Sequence, residues 1–365
     1  MDGPRTLAAD SVAWMERRMP QSISAVHIDD SMILAGDWNG VIVAWNLEGE
    51  ELWSADVGDR VTSFEIDSTD QDIRCIAGRE AMRINPIDGN ILWRTEFDGS
   101  TDILSCANEG RCWISSSVYD IELNDFVVCA ITHLDADGQI LHRLEFDERP
   151  WSLHILPSGD IALGLGRPRG GLLILRPEGE ILIQEHLDLG ESPVCCGIGQ
   201  DEILLGHING NMTEISIDGK LTSSQSITEE TIGCMAKKSS CLLIGTTEGK
   251  AICYRDGNSA WSVDFGEEIE HIRISNQERV WFSTWSGRNG AISFLEVESG
   301  KIIAHFTLSA RLRDIAVHGG FTVIGMDDGR LLVLEEEMLT RRINSDSKET
   351  NDRSDLRDRL RALRK

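Results

Sequence analysis

The side chains able to do chemistry in this 365-residue chain are plentiful but dispersed. Its nine histidines stand singly, with no His-x-x-x-His spacing, and its nine cysteines include no Cys-x-x-Cys pair. A bound zinc ion needs several such ligands converging at fixed spacing, so no metal site is expected. Gly164-Leu165-Gly166 followed by Gly170-Gly171 has the glycine density of a phosphate loop. No Gly-Lys-Ser/Thr follows, and no helix is predicted whose N-terminus would hold the anion. A long hairpin through GRPRGG is expected instead. The carboxylate pairs Asp29-Asp30 and Asp327-Asp328 fall in turns, where Asp bonds to nearby backbone amides. Nothing resembles a catalytic triad, so no catalytic residue and no cofactor are assigned.

Recognition chemistry is better represented. Lysine and arginine total 35, and seven are lysine, the first at Lys220, which leaves 28 arginines. Arginine and tryptophan are the types most enriched at binding hot spots. The planar guanidinium also suits bidentate capture of carboxylates or phosphates. Which of these residues act together depends on the elements that carry them.

Those elements repeat. An acidic residue, a glycine and a polar residue recur at Glu48-Gly49-Glu50, Asp88-Gly89-Asn90, Asp137-Gly138-Gln139, Glu178-Gly179-Glu180, Asp218-Gly219-Lys220 and Asp256-Gly257-Asn258, with Ser299-Gly300-Lys301 as a weaker copy. Successive glycines lie 40, 49, 41, 40, 38 and 43 residues apart. Each copy separates two apolar strands, which predicts a hairpin of the primed-turn type, where glycine supplies positive φ. A second glycine hairpin precedes it in GDWNG at 36–40, GHING at 206–210, GTTEG at 245–249 and GMDDG at 325–329. A further alternating strand comes before that. Four short antiparallel strands in about forty residues make one blade of a β-propeller.

The expected fold is therefore all-β: an eight-bladed β-propeller of four-stranded antiparallel blades over residues 1–343. First strands are placed near 23, 60, 103, 150, 193, 231, 268 and 312. Seven blades is the alternative count, because the third unit carries an insertion (ISSSVYDIELNDF) and no glycine hairpin. The eighth unit lacks an acidic-glycine turn, so its fourth strand is expected from SVAWMERRM at the N-terminus or from MLTRRI. Either would close the ring and leave no exposed edge.

Read this way, the chain resembles the PQQ-like propeller repeats, whose blades carry Ala-x-Asp-x-x-x-Gly-x-x-x-Trp around the last hairpin. Ala44-Trp45-Asn46-Leu47-Glu48-Gly49-Glu50-Glu51-Leu52-Trp53 matches with one residue fewer before the glycine. Asn85-Pro86-Ile87-Asp88-Gly89-Asn90-Ile91-Leu92-Trp93 matches in part, and Asp256-Gly257 with Trp261 more weakly. The chain is also similar to the WD40 class, without its Gly-His and Trp-Asp signatures in register. The resemblance implies an alternative function, an enzyme or small-ligand binder using the central channel, since quinoprotein dehydrogenases of this family place adjacent cysteines beside the quinone. Cys195-Cys196 are adjacent here. On an alternating strand they are expected to face opposite ways as small apolar fillers.

In such a blade the turn between second and third strands and the link to the next blade share one face. The acidic-glycine turns (Glu48, Asp88, Asp137, Glu178, Asp218, Asp256) share the other. The first face is predicted to gather Trp38, Arg60, Arg79, Arg149, Trp151, Arg167, Arg169, Trp285, Arg288, Arg311 and Arg313, together with Tyr119 and His207. We expect this face to bind another protein through an acidic segment; the competing reading is that its arginines simply pair with neighbouring Asp and Glu. Trp45, Trp53, Trp93 and Trp261 are expected to pack between blades. Beyond the propeller, residues 344–353 read as a flexible linker and 354–365 as a short basic amphipathic helix. There Leu356, Leu360 and Leu363 form one stripe available to a partner.

The net charge of −26 disfavours generic nucleic-acid binding, because an acidic surface repels phosphates. With 41% hydrophobic residues, disorder is excluded as the main state. No apolar run approaches the roughly 18 residues needed to span a bilayer, and the N-terminus has no apolar export core. The expectation is a monomeric cytoplasmic propeller with reduced buried thiols, acting as a non-catalytic interaction scaffold. Outer-membrane assembly factors share the repeat, but the missing export signal argues against that class.

Overall fold

The computed structural model describes residues 6–67, 71–167, 169–190, 192–199, 202–275 and 278–343. The predicted linker and the helix bearing Leu356, Leu360 and Leu363 lie outside the described residues. Eight antiparallel blades follow one another along the chain, each in up-and-down order. Blade 1 comprises Ile23–Ile28, Ile33–Asp37, Val41–Trp45 and Glu51–Asp56. Blades 2 to 7 begin at Val61, Ser100, Pro150, Val194, Ile232 and Glu268, and blade 8 at Leu312. The third unit is a full blade with the longest central hairpin of the ring, Cys112–Asp120 and Asp125–Leu134. Eight is therefore the blade count.

Position within a blade decides how each strand reads. Ile33–Asp37, a second strand, is buried along its whole length because neighbouring blades cover both its faces. Ile91–Glu96, an outermost strand, alternates half-buried and exposed residues. The core is accordingly a set of clusters between blades. Ala25, Leu34 and Ile42 of blade 1 pack with Val61, Phe64, Ile73 and Met82 of blade 2. At several junctions a glycine permits that approach: a Cβ on Gly36 would lie 2.6 Å from Val61, on Gly206 2.7 Å from Ile232, and on Gly245 2.6 Å from Ile269.

Ring closure repeats the same contact. A Cβ on Gly325 of blade 8 would lie 2.5 Å from Ile23 of blade 1. The N-terminus supplies the missing strand: Met15–Arg18 pairs antiparallel with Arg330–Glu335, Met15 opposite Val333 and Arg18 opposite Arg330. Thr6–Ala8 adds a fifth strand, parallel to Ile302–Leu308 of blade 7. Residues 336–343, which contain MLTRRI, are helical, so the second candidate for closing the ring is set aside.

The acidic-glycine turns lie where expected, but most differ in type. Gly49, Gly89, Gly138, Gly219 and Gly300 have φ between 67° and 83°, whereas the residue before each does not enter the positive-φ region. In three of them the glycine amide bonds back to the residue three positions earlier (Asn46, Asp135, Ser216), and the strand pairing shifts beside the loop. These are type I turns closed by a glycine bulge, the usual three-residue hairpin loop. Only Asp256-Gly257 has both loop residues at positive φ, 49° and 78°, as the primed turn requires.

The tryptophans lock each turn to its neighbour. Trp53, Trp93 and Trp261 donate their indole N–H to Pro86, Ala136 and Val297 carbonyls of the following blade, at 2.7, 2.9 and 2.8 Å. Trp45 is buried at the blade 8–blade 1 junction. Reduced thiols account for seven of the nine cysteines; Cys241 and Cys253, on adjacent strands of blade 6, are joined as a disulfide.

Candidate binding face

The face carrying the second-to-third-strand turns, here the upper face, is assembled by two backbone devices. The glycine ending each of four such turns accepts the first amide of its blade's outgoing link: Val57 N to Gly40 O at 2.9 Å, Ile227 N to Gly210 O at 3.1 Å, Phe265 N to Gly249 O at 2.9 Å and Met19 N to Gly329 O at 2.8 Å. Turn and link therefore form one ledge. In addition, every innermost strand shifts register near its upper end, after Ile23, Val61, Thr101, Pro150, Val194, Ile232, Ile269 and Leu312. A bulge re-aims its extra residue. Those residues include Asp102, Trp151, Cys195, Glu270 and Arg313.

Most of the predicted residues lie on this ledge, in distinct local groups. Trp38 is 43% exposed, with the Arg60 guanidinium 4.3 Å and that of Arg313 5.9 Å from its ring centroid. Burial and the neighbouring Arg313 charge hold the Arg60 pKa below its ordinary value. Arg313 donates to Asp327 at 2.7 Å, and this bond pulls the Asp327 carboxyl below the usual range. Arg311 bonds to Glu270, which raises its pKa, and lies 5.6 Å from the Trp285 ring. Arg79 bonds to the Phe97 carbonyl at 3.1 Å and approaches Glu96 to 3.7 Å. Arg149 pairs with Asp102 at 2.6 Å, its guanidinium 4.4 Å from the Phe126 ring and 4.7 Å from Trp151. Burial pushes the Asp102 carboxyl up despite bonds from Ser117 and Arg149.

Pairing with neighbouring acids thus accounts for Arg79, Arg149, Arg311 and Arg313. It does not account for Arg60, whose guanidinium stacks on Trp38, nor for Arg167, Arg169 and Arg288. Those three are exposed and have no ion-pair partner among the described residues. Two expectations need correction. His207 is fully buried, bonded to Ser192 O at 2.6 Å and Thr213 Oγ1 at 2.8 Å, and presents nothing to solvent. The charges are also less segregated than predicted, because the links themselves carry acids. Glu229, Glu248, Asp264 and Glu267 make the blade 5–6 arc acidic, with Lys250 held by Glu230.

A cleft of about 260 Å³ opens between blades 3, 4 and 5. Arg149, Trp151, Arg167 and Cys195 line it, as do Asp125, Phe126, Asp147, Val194 and Ile208, which sequence reasoning did not single out. Phe126 belongs to the insertion that made blade 3 look irregular. Cys195 was expected to point away from Cys196, but the bulge after Val194 breaks the alternation, and both thiols reach the Ile232 carbonyl, at 2.8 and 3.3 Å. A one-residue bulge leaves no mark in the hydrophobic pattern, so no signal in the chain announced it. Among the described residues, no group of three or more His, Cys, Asp or Glu is placed to hold a metal ion, and no helix is long and apolar enough to cross a membrane.

No protein-family model matches the chain, and no curated protein matches it in sequence. Solved structures do match in shape. The computationally designed Ika8 protein superposes with a TM-score of 0.69 at 14% identity, covering 91% of this chain and 100% of its own. BamB from Moraxella catarrhalis gives 0.67 at 13%, covering 88% and 96%. Sqt1 from Saccharomyces cerevisiae gives 0.74 at 10%, covering 88% and 98%. At such identities the likeness establishes the propeller fold and leaves the activity to be argued from the site.

Proposed function

We propose that the chain is a non-catalytic protein-interaction scaffold whose upper face binds an acidic segment of another protein. The observation that carries this reading is the set of exposed arginines without acidic partners among the described residues, Arg167, Arg169 and Arg288, on a ledge that also exposes Trp38 and Trp151. In a chain of net charge −26, cations left unpaired on a rigid rim are available to a carboxylate brought by a partner. The flanking aromatics supply contact area at small conformational cost. The acidic blade 5–6 arc would repel the same segment and so set its direction across the face.

The test is affinity capture with the intact chain and with the R167E/R169E double charge reversal. The expected result is loss of the captured partner by at least about tenfold, a change of ~1.4 kcal/mol. Equal recovery by both proteins would refute the assignment of this face. The terminal segment 344–365 is proposed as an auxiliary contact through Leu356, Leu360 and Leu363. Its deletion should lower partner recovery while leaving the unfolding midpoint of the propeller unchanged.

A further inference from the structure

The upper face contains one place built to take an individual side chain. The cleft between blades 3, 4 and 5 is walled by Phe126, Trp151, Val194 and Ile208; Arg167 lines it, as do Asp125 and Asp147, whose charge would repel a ligand carboxylate anywhere but at Arg167. Its volume of about 260 Å³ lies below the range of sites that enclose a whole drug-sized ligand. It suits one bulky apolar group. The walls are held in place. Trp151 is the bulged residue of its strand and lies against Gly166, where a Cβ would come within 2.5 Å of its indole nitrogen. Phe126 is fixed by the Arg149 guanidinium 4.4 Å from its ring and by an edge contact with Tyr119 at 5.1 Å. Arg149 is committed to Asp102, which leaves Arg167 as the cation free to meet a ligand.

Beside the cleft rises the blade 3 hairpin. Its tip, Asp120 to Asn124, is tied by Asp120 Oδ1 accepting the Glu122 and Leu123 amides at 2.8 and 3.0 Å. Ile121 and Leu123 there are 86% and 68% exposed. The hairpin thus adds exposed apolar surface to the blade that supplies Phe126 to the cleft.

We infer that this cleft is a specificity pocket for a peptide bearing a bulky apolar side chain next to a carboxylate, the side chain entering between Phe126 and Trp151 and the carboxylate pairing with Arg167. The inference rests on the scaffold reading and adds to it where on the face, and by what chemistry, the partner is anchored.

The probes are N-acetylphenylalanine, which carries both groups, and N-acetylphenylalaninamide, which lacks the charge. Each is titrated into the intact 15N-labelled protein while the Trp151 indole N–H signal, identified by its loss in W151F, is followed by NMR. The acid should move that signal saturably and bind up to about fivefold tighter than the amide, the scale of one exposed ion pair. R167A should abolish the difference between acid and amide while preserving the weaker binding. G166A, which crowds the indole without removing it, should weaken both. A Trp151 signal unmoved by either probe, or moved equally by acid and amide in the unaltered protein, overturns the pocket. That failure is distinct from failure of the face: capture lost in R167E/R169E with a silent Trp151 keeps the face and removes the pocket. A responsive Trp151 with unchanged capture does the reverse.

Discussion

A tryptophan on the outermost strand of one blade donates its indole N–H to the turn of the next, and the indole has room to pack on that turn because the turn residue is glycine. Trp53 shows both halves of the device: it bonds to the Pro86 carbonyl at 2.7 Å, and a Cβ on Gly89 would lie 2.5 Å from its ring. Substituting Trp53→Phe should remove the bond and part of the indole's packing and cost about 1–2 kcal/mol. Trp53→Ala also empties a buried site and should cost roughly 3–5 kcal/mol in urea unfolding. Nearly equal losses for the two would mean that packing contributes little there. His133 governs acid behaviour locally. It is buried against Trp113, ring centroids 4.0 Å apart, and burial, helped by the charge of His142, lowers its pKa from 6.5 to about 4. The unfolded chain therefore takes up a proton on this group that the folded one refuses. Stability should fall as pH drops from about 6.5 toward 4, by roughly 2–3 kcal/mol from this group. His133→Phe keeps the stack and should make that limb of the stability–pH curve shallower, leaving the part due to the buried His154 and His271, whose pKa values burial lowers to about 4 and about 3. An unchanged slope would show that His133 is not among the titrating groups.

At the scale of elements, closure of the ring is the feature most exposed to test. Without Met15–Arg18, the strand Arg330–Glu335 would present an unpaired edge able to pair with another chain. Removing residues 1–19 should lower the unfolding midpoint and produce concentration-dependent oligomers in light scattering. A monomer of unchanged stability would show that blade 8 closes by other means. Much of this architecture was legible in the sequence, because the acidic-glycine spacing and the alternating strands record blade boundaries directly; predicted first strands at 23, 150, 268 and 312 coincide with the observed starts. The turn type was less legible. Asp-Gly and Glu-Gly occur in both primed turns and glycine-bulge turns, and only the φ of the acidic residue separates Asp256 from Asp137 or Asp218. The bulges were not legible at all. They arise from how each strand meets its neighbours, and they decide that Trp151 and Cys195 look upward.

At the scale of the whole molecule, the upper face is a rigid ring of unlike arcs. A sector on blades 3 and 4 that mixes arginines and aromatics with Asp125 and Asp147 adjoins an acidic one on blades 5 and 6, and a second arginine and aromatic group surrounds Trp38 at the junction of blades 8 and 1. Which predicted arginines stand free was invisible from composition, since it depends on acids brought near by folding: Asp102 lies 47 positions from Arg149 in sequence, Glu270 41 from Arg311. An electrostatic face implies salt dependence, and partner binding should weaken steadily as ionic strength rises and the charges are screened beyond about 10 Å. Salt-independent binding would point to the exposed apolar residues instead. The most direct test of the central claim places a photo-crosslinking amino acid at Arg169 on the upper face and, in a second protein, at Asp218 on the opposite one. The account predicts that the first crosslinks an acidic segment of a partner and the second does not; crosslinks from Asp218 alone, or equally from both positions, would contradict it.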